Sequence, residues 1–356
     1  MLRFAPTTFA LMAFAILAFL VTSTPSQASP DAVGFRELTI AANDGDRALA
    51  GAIWYPTADT KPPIRIGENP IFFGHMMQPD ANIQDGRHPL VVMSHGFGGN
   101  WRNQAWLAMA LARTGYVVAA INHPGTTSRD LTAEVGHELW LRPRDISHLI
   151  TSLTNDTAWS PHLDAANITV IGHSLGGWTV LELAGARMDM DRMDDECQAH
   201  PEFAACDGLA TLEVGSTMAD RKMLAADLKD ERIRGAISLD LGLARGFTQA
   251  SLAAIDIPVL VIAAGAPNPK IPKDLESGYL IEHLPADLTR YHDLPGAAHF
   301  SFLPECKPNA AILLEQDVPG DGIICLDGGE ATNRSALHQQ TITLILDFLR
   351  SLKTAS

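Results

Sequence analysis

The sequence predicts an α/β fold, a mostly parallel sheet covered by helices on both faces. Two observations carry this. Short runs rich in Val, Ile, Leu and Ala recur along the chain, and segments of helical period separate them. A third sets the size: 46% of the 356 residues are hydrophobic, ample for one large core, and no repeat or linker marks a second independent domain.

Taken in order, Phe35 to Ile40 and Ala48 to Tyr55 read as two strands about the turn-forming Asn43-Asp44-Gly45-Asp46. Residues 56–88 carry many Pro, Gly and Asn and read as a long connection. Pro89 to Met93 is a short apolar strand that runs into Ser94-His95-Gly96-Phe97-Gly98-Gly99, with a helix around Asn103 to Thr114. Tyr116 to Ile121 is the next strand and ends at Asn122-His123-Pro124-Gly125. A helix near Arg142 to Leu153 puts Ile146, Leu149, Ile150 and Leu153 on one face. Strands follow at Ile168 to Ile171, Arg234 to Leu239, Val259 to Ala264 and Thr289 to Leu294, and Ser335 to Leu352 closes the chain as an amphipathic helix.

The N-terminus has the form of a secretory signal. Arg3 gives a positive start, Phe9 to Val21 is apolar but too short to span a bilayer, and Ser26-Gln27-Ala28 fits a small-x-small cleavage site. Residues 1–28 are thus expected to be a signal peptide and 29–356 one domain, periplasmic or secreted, with no stable membrane anchor after cleavage. The net charge of −15 disfavours nucleic acid and anionic membrane surfaces as partners. Four cysteines fit an oxidising compartment. Three pairings are open; Cys197–Cys206 and Cys306–Cys325 are favoured because each closes a short loop, worth about 2.5–3.5 kcal/mol apiece. Zinc spacings are absent, and the acidic stretch Asp189, Asp191, Asp194, Asp195 reads as a solvated loop, so no metal or cofactor is expected.

The chemistry is concentrated in Gly172-His173-Ser174-Leu175-Gly176-Gly177, directly after the β-branched run Ile168 to Ile171 and before a helical segment. Strand, sharp turn and helix around Gly-x-Ser-x-Gly make a nucleophile elbow, in which glycines permit the crowded turn and the serine is exposed at its tip. A serine hydroxyl needs a base, and the base needs an orienting group; around such an elbow they follow in the order Ser, acid, His. His299, in the loop after the last strand, is the expected base. The acid is expected to be Asp240, which ends the strand Ile237-Ser238-Leu239 among apolar neighbours; an isolated carboxylate there needs a partner. Asp274 and Glu276 lie too far past the strand Val259 to Ala264 to reach the active edge easily. The Phe97 and Leu175 amides are the expected oxyanion-hole donors. His95 is expected to fix its loop, and His173 is the variable position of the elbow. Residues 187–230, with Met188, Met190, Met193, Met218 and Met223, fall where an insertion could cap the site with a deformable apolar roof, the alternative being a surface excursion whose methionines pack as ordinary core.

These placements resemble the α/β-hydrolase superfamily. Within it they are similar to the single-domain platelet-activating-factor acetylhydrolases and the bacterial predicted dienelactone hydrolases. The resemblance rests on Trp54-Tyr55-Pro56, the Ser94-His95-Gly96 loop, Asn122-His123-Pro124-Gly125, the elbow, Asp240 one strand early, and His299. In that branch the acid follows the sixth strand, which implies Asp240. Ser174 stands where true dienelactone hydrolases carry cysteine. The expectation is an exported serine hydrolase that cleaves carboxylic esters of small molecules with short to medium acyl groups, through an acyl-enzyme on Ser174, His299 and Asp240. Cleavage of a β-diketone C–C bond, as in relatives acting on oxidised polyvinyl alcohol, and acyl transfer on the same residues are the alternatives.

Overall fold

In the computed structural model, residues 1–2, 32–43, 46–329 and 332–354 are described. The expected signal peptide therefore lies almost wholly outside the described residues, as do Asp44 and Gly45 of the first turn. Ten strands are described: β1 (Val33–Ile40), β2 (Leu49–Pro56), β3 (Ile64–Ile66), β4 (His75–Pro79), β5 (His88–Ser94), β6 (Val117–Ile121), β7 (Leu163–His173), β8 (Ile233–Leu239), β9 (Val259–Ala264) and β10 (Thr289–Leu294). They form one sheet in the order β10-β9-β8-β7-β5-β6-β2-β1-β4-β3. From β10 to β6 every pair is parallel, whereas β2 runs antiparallel to both β6 and β1.

The helices are α1 (Ala105–Arg113), α2 (Ala133–Gly136), α3 (Leu141–Asn155), α4 (Leu175–Ala184), α5 (Met190–Ala199), α6 (Ala204–Thr211), α7 (Met218–Leu224), α8 (Gln249–Ala253), α9 (Ser277–His283), α10 (Ala310–Asp317) and α11 (Arg334–Thr354). Because side chains alternate across a strand, each central strand feeds two cores. Leu90 and Val92 of β5, with Val117, Ala119 and Ile121 of β6, pack toward α3 and α4. Val91, Met93, Val118 and Ala120 pack toward α1 and α11, where Leu107 and Phe348 are buried. Burial on both faces is why these strands are apolar throughout, and each such side chain stabilises the fold by about 1.5–3 kcal/mol.

Two segments differ from the sequence expectation. The connection 56–88 contains strands β3 and β4, and β4 adds to the sheet edge by pairing Gln78 and Pro79 with Gly34 and Phe35 of β1. His-Met-Met-Gln-Pro has no strand signature of its own, and pairing with β1 supplies the order. The insertion at 187–230 folds into α5, α6 and α7, but Met188, Met190 and Met193 are buried in the core and do not form a roof, while Met218 faces solvent. Its acidic residues have local uses: Asp189 caps α5 by accepting from the Asp191 and Arg192 amides, and Asp191 and Asp194 pair with Arg221. Among the described residues no three His, Cys, Asp or Glu side chains are grouped to hold a metal, and no helix is long and apolar enough to cross a membrane.

Cys197 is bonded to Cys206, joining α5 to α6, and Cys306 to Cys325, closing the segment that contains α10. Non-reduced protein made in an oxidising compartment should give no alkylatable thiol after denaturation, with peptides linked in these pairs. Replacing Cys306 and Cys325 together by Ala should lower stability to urea by about 3 kcal/mol; an unchanged midpoint would show that the cross-link does not constrain the unfolded chain.

Candidate active site

The site is built where β7 ends. Parallel strands β5 and β8 flank it, Ser94 lying opposite Gly172 and Leu239 opposite His173. Ser174 then leaves the strand with φ 55° and ψ −122°, a conformation that L residues avoid. It is held there by its own N–H, which donates to the Leu239 carbonyl at 3.0 Å, and by the first turn of α4. Gly172 has no room for a side chain, since a Cβ would lie 1.9 Å from the Gly176 carbonyl oxygen.

Asp240 follows the last residue of β8, and its carboxylate is fixed from two sides. The Ala264 N–H donates to Oδ1 at 2.8 Å, and His299 Nδ1 donates to Oδ2 at 2.6 Å. With Nδ1 carrying a proton, His299 Nε2 is free to accept from the Ser174 hydroxyl, 3.0 Å away. Thus the three residues read from separate loops meet in one hydrogen-bonded line, with Asp240 and His299 both buried. His173 has a use that the sequence did not reveal. Its Nε2 donates to the His299 carbonyl at 2.9 Å, anchoring the loop that carries the imidazole; burial, with His299 beside it, holds its pKa well below the ordinary histidine value.

The loop after β5 lies against the elbow: a Cβ on Gly96 would meet the Ser174 Cβ at 3.0 Å. Its geometry follows from one planar peptide. The Gly96 carbonyl accepts from His95 Nδ1 at 2.7 Å and from the Gly99 N–H at 3.0 Å. A trans peptide whose oxygen is fixed directs its N–H, here that of Phe97, the opposite way. His95 in turn accepts the His123 N–H at Nε2 (3.0 Å), so His95 is fixed in one tautomer and fixes the loop. Among the described residues neither the Phe97 nor the Leu175 N–H donates to a protein acceptor.

A second Ser–His–Asp line lies just beneath. Ser94 Oγ is 3.0 Å from His123 Nε2, and His123 Nδ1 is 2.8 Å from Asp145. It differs in access, because Ser94 and His123 are wholly buried and do not line the cavity onto which Ser174 opens. Burial and the nearby Arg142 and Arg47 guanidiniums hold His123 well below the ordinary histidine value. Ser174, by contrast, opens with His299 onto a cavity of about 780 Å³. Its lining is mixed: Phe97, Leu139, Leu243, Ile271, Phe300 and Leu303 give apolar surface, with Leu209 and Leu212 from α6 and the turn after it, and Asp207, Lys270, Glu276 and Asp321 line it too. The part of the 187–230 insertion that reaches the site is therefore α6 and no methionine. Leu314 and Ile324, inside the Cys306–Cys325 loop, also line the cavity.

A model of the alpha/beta hydrolase family matches residues 91–311, more than half of the chain. Among curated relatives, the chain is 30% identical over 132 residues to "Cutinase est1" of Thermobifida alba, covering 35% of this chain and 39% of that protein. It is 26% identical over 160 residues to platelet-activating factor acetylhydrolase of Bos taurus, covering 32% and 36%. It is 28% identical over 116 residues to bis(hydroxyethyl) terephthalate hydrolase of Streptomyces coelicolor, covering 33% and 34%. The matched stretches span less than two fifths of the length of these relatives. A solved ferulic acid esterase of Streptomyces cinnamoneus superposes with a TM-score of 0.62 over 91% of each chain at 18% identity, a likeness of fold.

Glu276 corrects one expectation, for it does reach the cavity. The chain after β9 returns to the site, and the Glu276 carboxylate accepts the Leu243 and Ala244 N–H groups at 3.3 and 2.7 Å. It thereby holds the turn after Asp240, in which Asp240 and Leu243 both have positive φ. Burial pushes its pKa from 4.5 up to about 8, with the Asp240 charge adding to this and the two amides opposing it. The folded protein thus holds this proton more tightly than the unfolded chain. The contribution is full below about pH 4.5 and is lost as pH rises through about 8, on the order of 5 kcal/mol across that window. Glu276→Gln should flatten the fall in Tm between pH 5 and 9 relative to wild type, and parallel profiles would refute the shift.

Proposed function

The chain belongs to the alpha/beta hydrolase family, and on that premise we propose that it hydrolyses carboxylic esters through an acyl-enzyme on Ser174. The observation that carries the reading is the continuous line Ser174–His299–Asp240, with links of 3.0 and 2.6 Å, at the floor of an open cavity. Ser174 Oγ attacks the acyl carbon while His299 Nε2 takes its proton. Asp240 keeps Nδ1 protonated beforehand and stabilises the imidazolium afterwards. The carbonyl oxygen becomes an oxyanion, for which the Phe97 and Leu175 amides are the donors; one such donor is worth about 2.7–4 kcal/mol in the transition state. His299 returns the proton to the departing alcohol. Water, deprotonated by the same nitrogen, then releases the acid and restores Ser174.

The apolar part of the lining favours an uncharged acyl group, and α6 acts as a cap-like wall that limits its length. The named activities of the matched cutinases, the terephthalate ester hydrolase and the acetylhydrolase support an ester bond as the target. Two disulfides support export to an oxidising compartment, in keeping with the signal expected at residues 1–28.

A chain-length series of p-nitrophenyl esters, run beside a phospholipid and a β-diketone, tests the reading. Turnover of the esters is expected; turnover confined to the diketone would replace ester by C–C hydrolysis. Ser174→Ala should abolish turnover and labelling by an organophosphonate, and labelling that moves to another serine would remove Ser174 from the mechanism. Asp240→Asn should lower kcat by on the order of 10³–10⁴. Leu209→Ala should raise the rate on long acyl esters relative to acetate, and an unaltered chain-length preference would show that α6 does not limit the acyl site.

A further inference from the structure

Arg142 is wholly buried near the start of α3, and the mechanism above makes no use of it. Its guanidinium meets no carboxylate. Asp145, the acid with the largest effect on it, is bonded to His123 and Arg47 instead. Burying a cation this way is unfavourable unless its donors are satisfied, and here four of its five N–H groups find acceptors, on three segments. Nε donates to Thr179 Oγ1 of α4 at 3.0 Å, and Nη1 to Thr126 Oγ1 at 2.6 Å. Nη2 donates to Ser94 Oγ at 3.2 Å and to the His95 carbonyl.

Three of the four acceptors lie close along the chain to the oxyanion machinery. The His95 carbonyl precedes the Gly96–Phe97 peptide, whose N–H is one donor. Thr126 accepts the Gly98 N–H on its carbonyl at 3.0 Å, at the far side of the same loop. Thr179 Oγ1 donates to the Leu175 carbonyl at 3.0 Å, on the residue that carries the other donor. The two donors therefore belong to different segments, one after β5 and one on α4, and a planar fork of fixed shape spans them.

We propose that Arg142 is a positioning residue that sets the separation and orientation of the Phe97 and Leu175 amides. This rests on the assignment of Ser174 and those amides given above. Without the fork, the loop retains its contacts with the elbow but loses its tie to α4, and small displacements of hydrogen-bond donors weaken a transition state more than a bound substrate.

The test uses the full protein, with p-nitrophenyl butyrate as substrate and a trifluoromethyl ketone as a probe whose hemiketal on Ser174 carries an oxyanion. Active sites are titrated to completion with an organophosphonate, so that kcat is expressed per reactive serine. Arg142→Met should lower kcat by on the order of 10²–10³, leave KM within roughly threefold, and weaken ketone binding by the same factor as kcat. Arg142→Lys, which keeps the charge but not the fork, should recover little of this. Thr179→Val, nearly isosteric, should show the same pattern on a smaller scale, and it decides the matter if Arg142→Met does not fold. A role in stability alone would lower the titrated fraction and Tm with kcat per site unchanged. That result, full recovery by Lys, or a Thr179→Val enzyme with wild-type kcat and ketone affinity would overturn the proposal. Failure of the wild type to react with ketone or phosphonate would instead overturn the assignment of Ser174.

Discussion

Gly176 sits so close to the end of β5 that a Cβ there would come within 2.0 Å of the Ser94 carbonyl oxygen. This contact sets the distance between the elbow and the loop after β5, and the other features of the site depend on it. Parallel pairing of β5 with β7 ends the two strands side by side, so their following segments are forced together at the carboxyl edge of the sheet. A methyl group at Gly176 would push the loop outward and carry the Phe97 amide with it. The requirement is steric and local, which is why it is written in the sequence as glycine.

Around that contact the protein buries an unusual amount of polar matter. Ser94, His95, His123, Arg142, Asp145, His173 and Thr179 are all buried near Ser174, and most of their donors and acceptors find one another. Burial keeps His95, His123 and His173 neutral, so His95 and His123 each serve as a fixed donor and acceptor pair and His173 as a donor, not as cations. A network of this kind is rigid because displacing one member strands another without a partner in a low-dielectric interior. It also explains how two Ser–His–Asp lines coexist a short distance apart. Ser94 is wholly buried between a guanidinium and an imidazole, whereas Ser174 faces the cavity.

The cavity itself is made by segments outside the central sheet. Besides the loops at the sheet edge, its lining comes from α6 and from the 306–325 loop, each tied by its own disulfide. Short, locally closed loops of this kind bury little apolar surface, and covalent cross-links compensate for the core they lack. The Ser174–His299–Asp240 line rests on the carboxyl edge of the sheet, and part of the cavity lining rests on cross-linked additions to it.

Much of this was legible in the chain. The elbow was, because its glycines, serine and flanking apolar run are contiguous. The meeting of Asp240 and His299 was, because Asp240 directly follows β8 and His299 sits in the loop after β10, both at the sheet edge where the topology delivers them, and a lone carboxylate among apolar residues asks for a partner. The cysteine pairs were legible from loop length. What lay beyond reach depended on distant segments meeting. β4 is a strand only because the edge of β1 is open to it. Glu276 reaches the turn after Asp240 only because the chain past β9 doubles back. The insertion turned its methionines inward and offered α6 to the cavity, since periodicity gives the apolar face of a helix but not what that face packs against. Arg142 gave no signal at all: an arginine early in a helix looks like a solvated surface charge, and only the convergence of β5, α3 and α4 makes it a buried fork. Sequence by itself determined which groups could do chemistry, because that is a property of residue type and near neighbours. Tertiary structure decided how they are held, because hydrogen-bond geometry and burial belong to pairs of segments that the chain brings together only on folding.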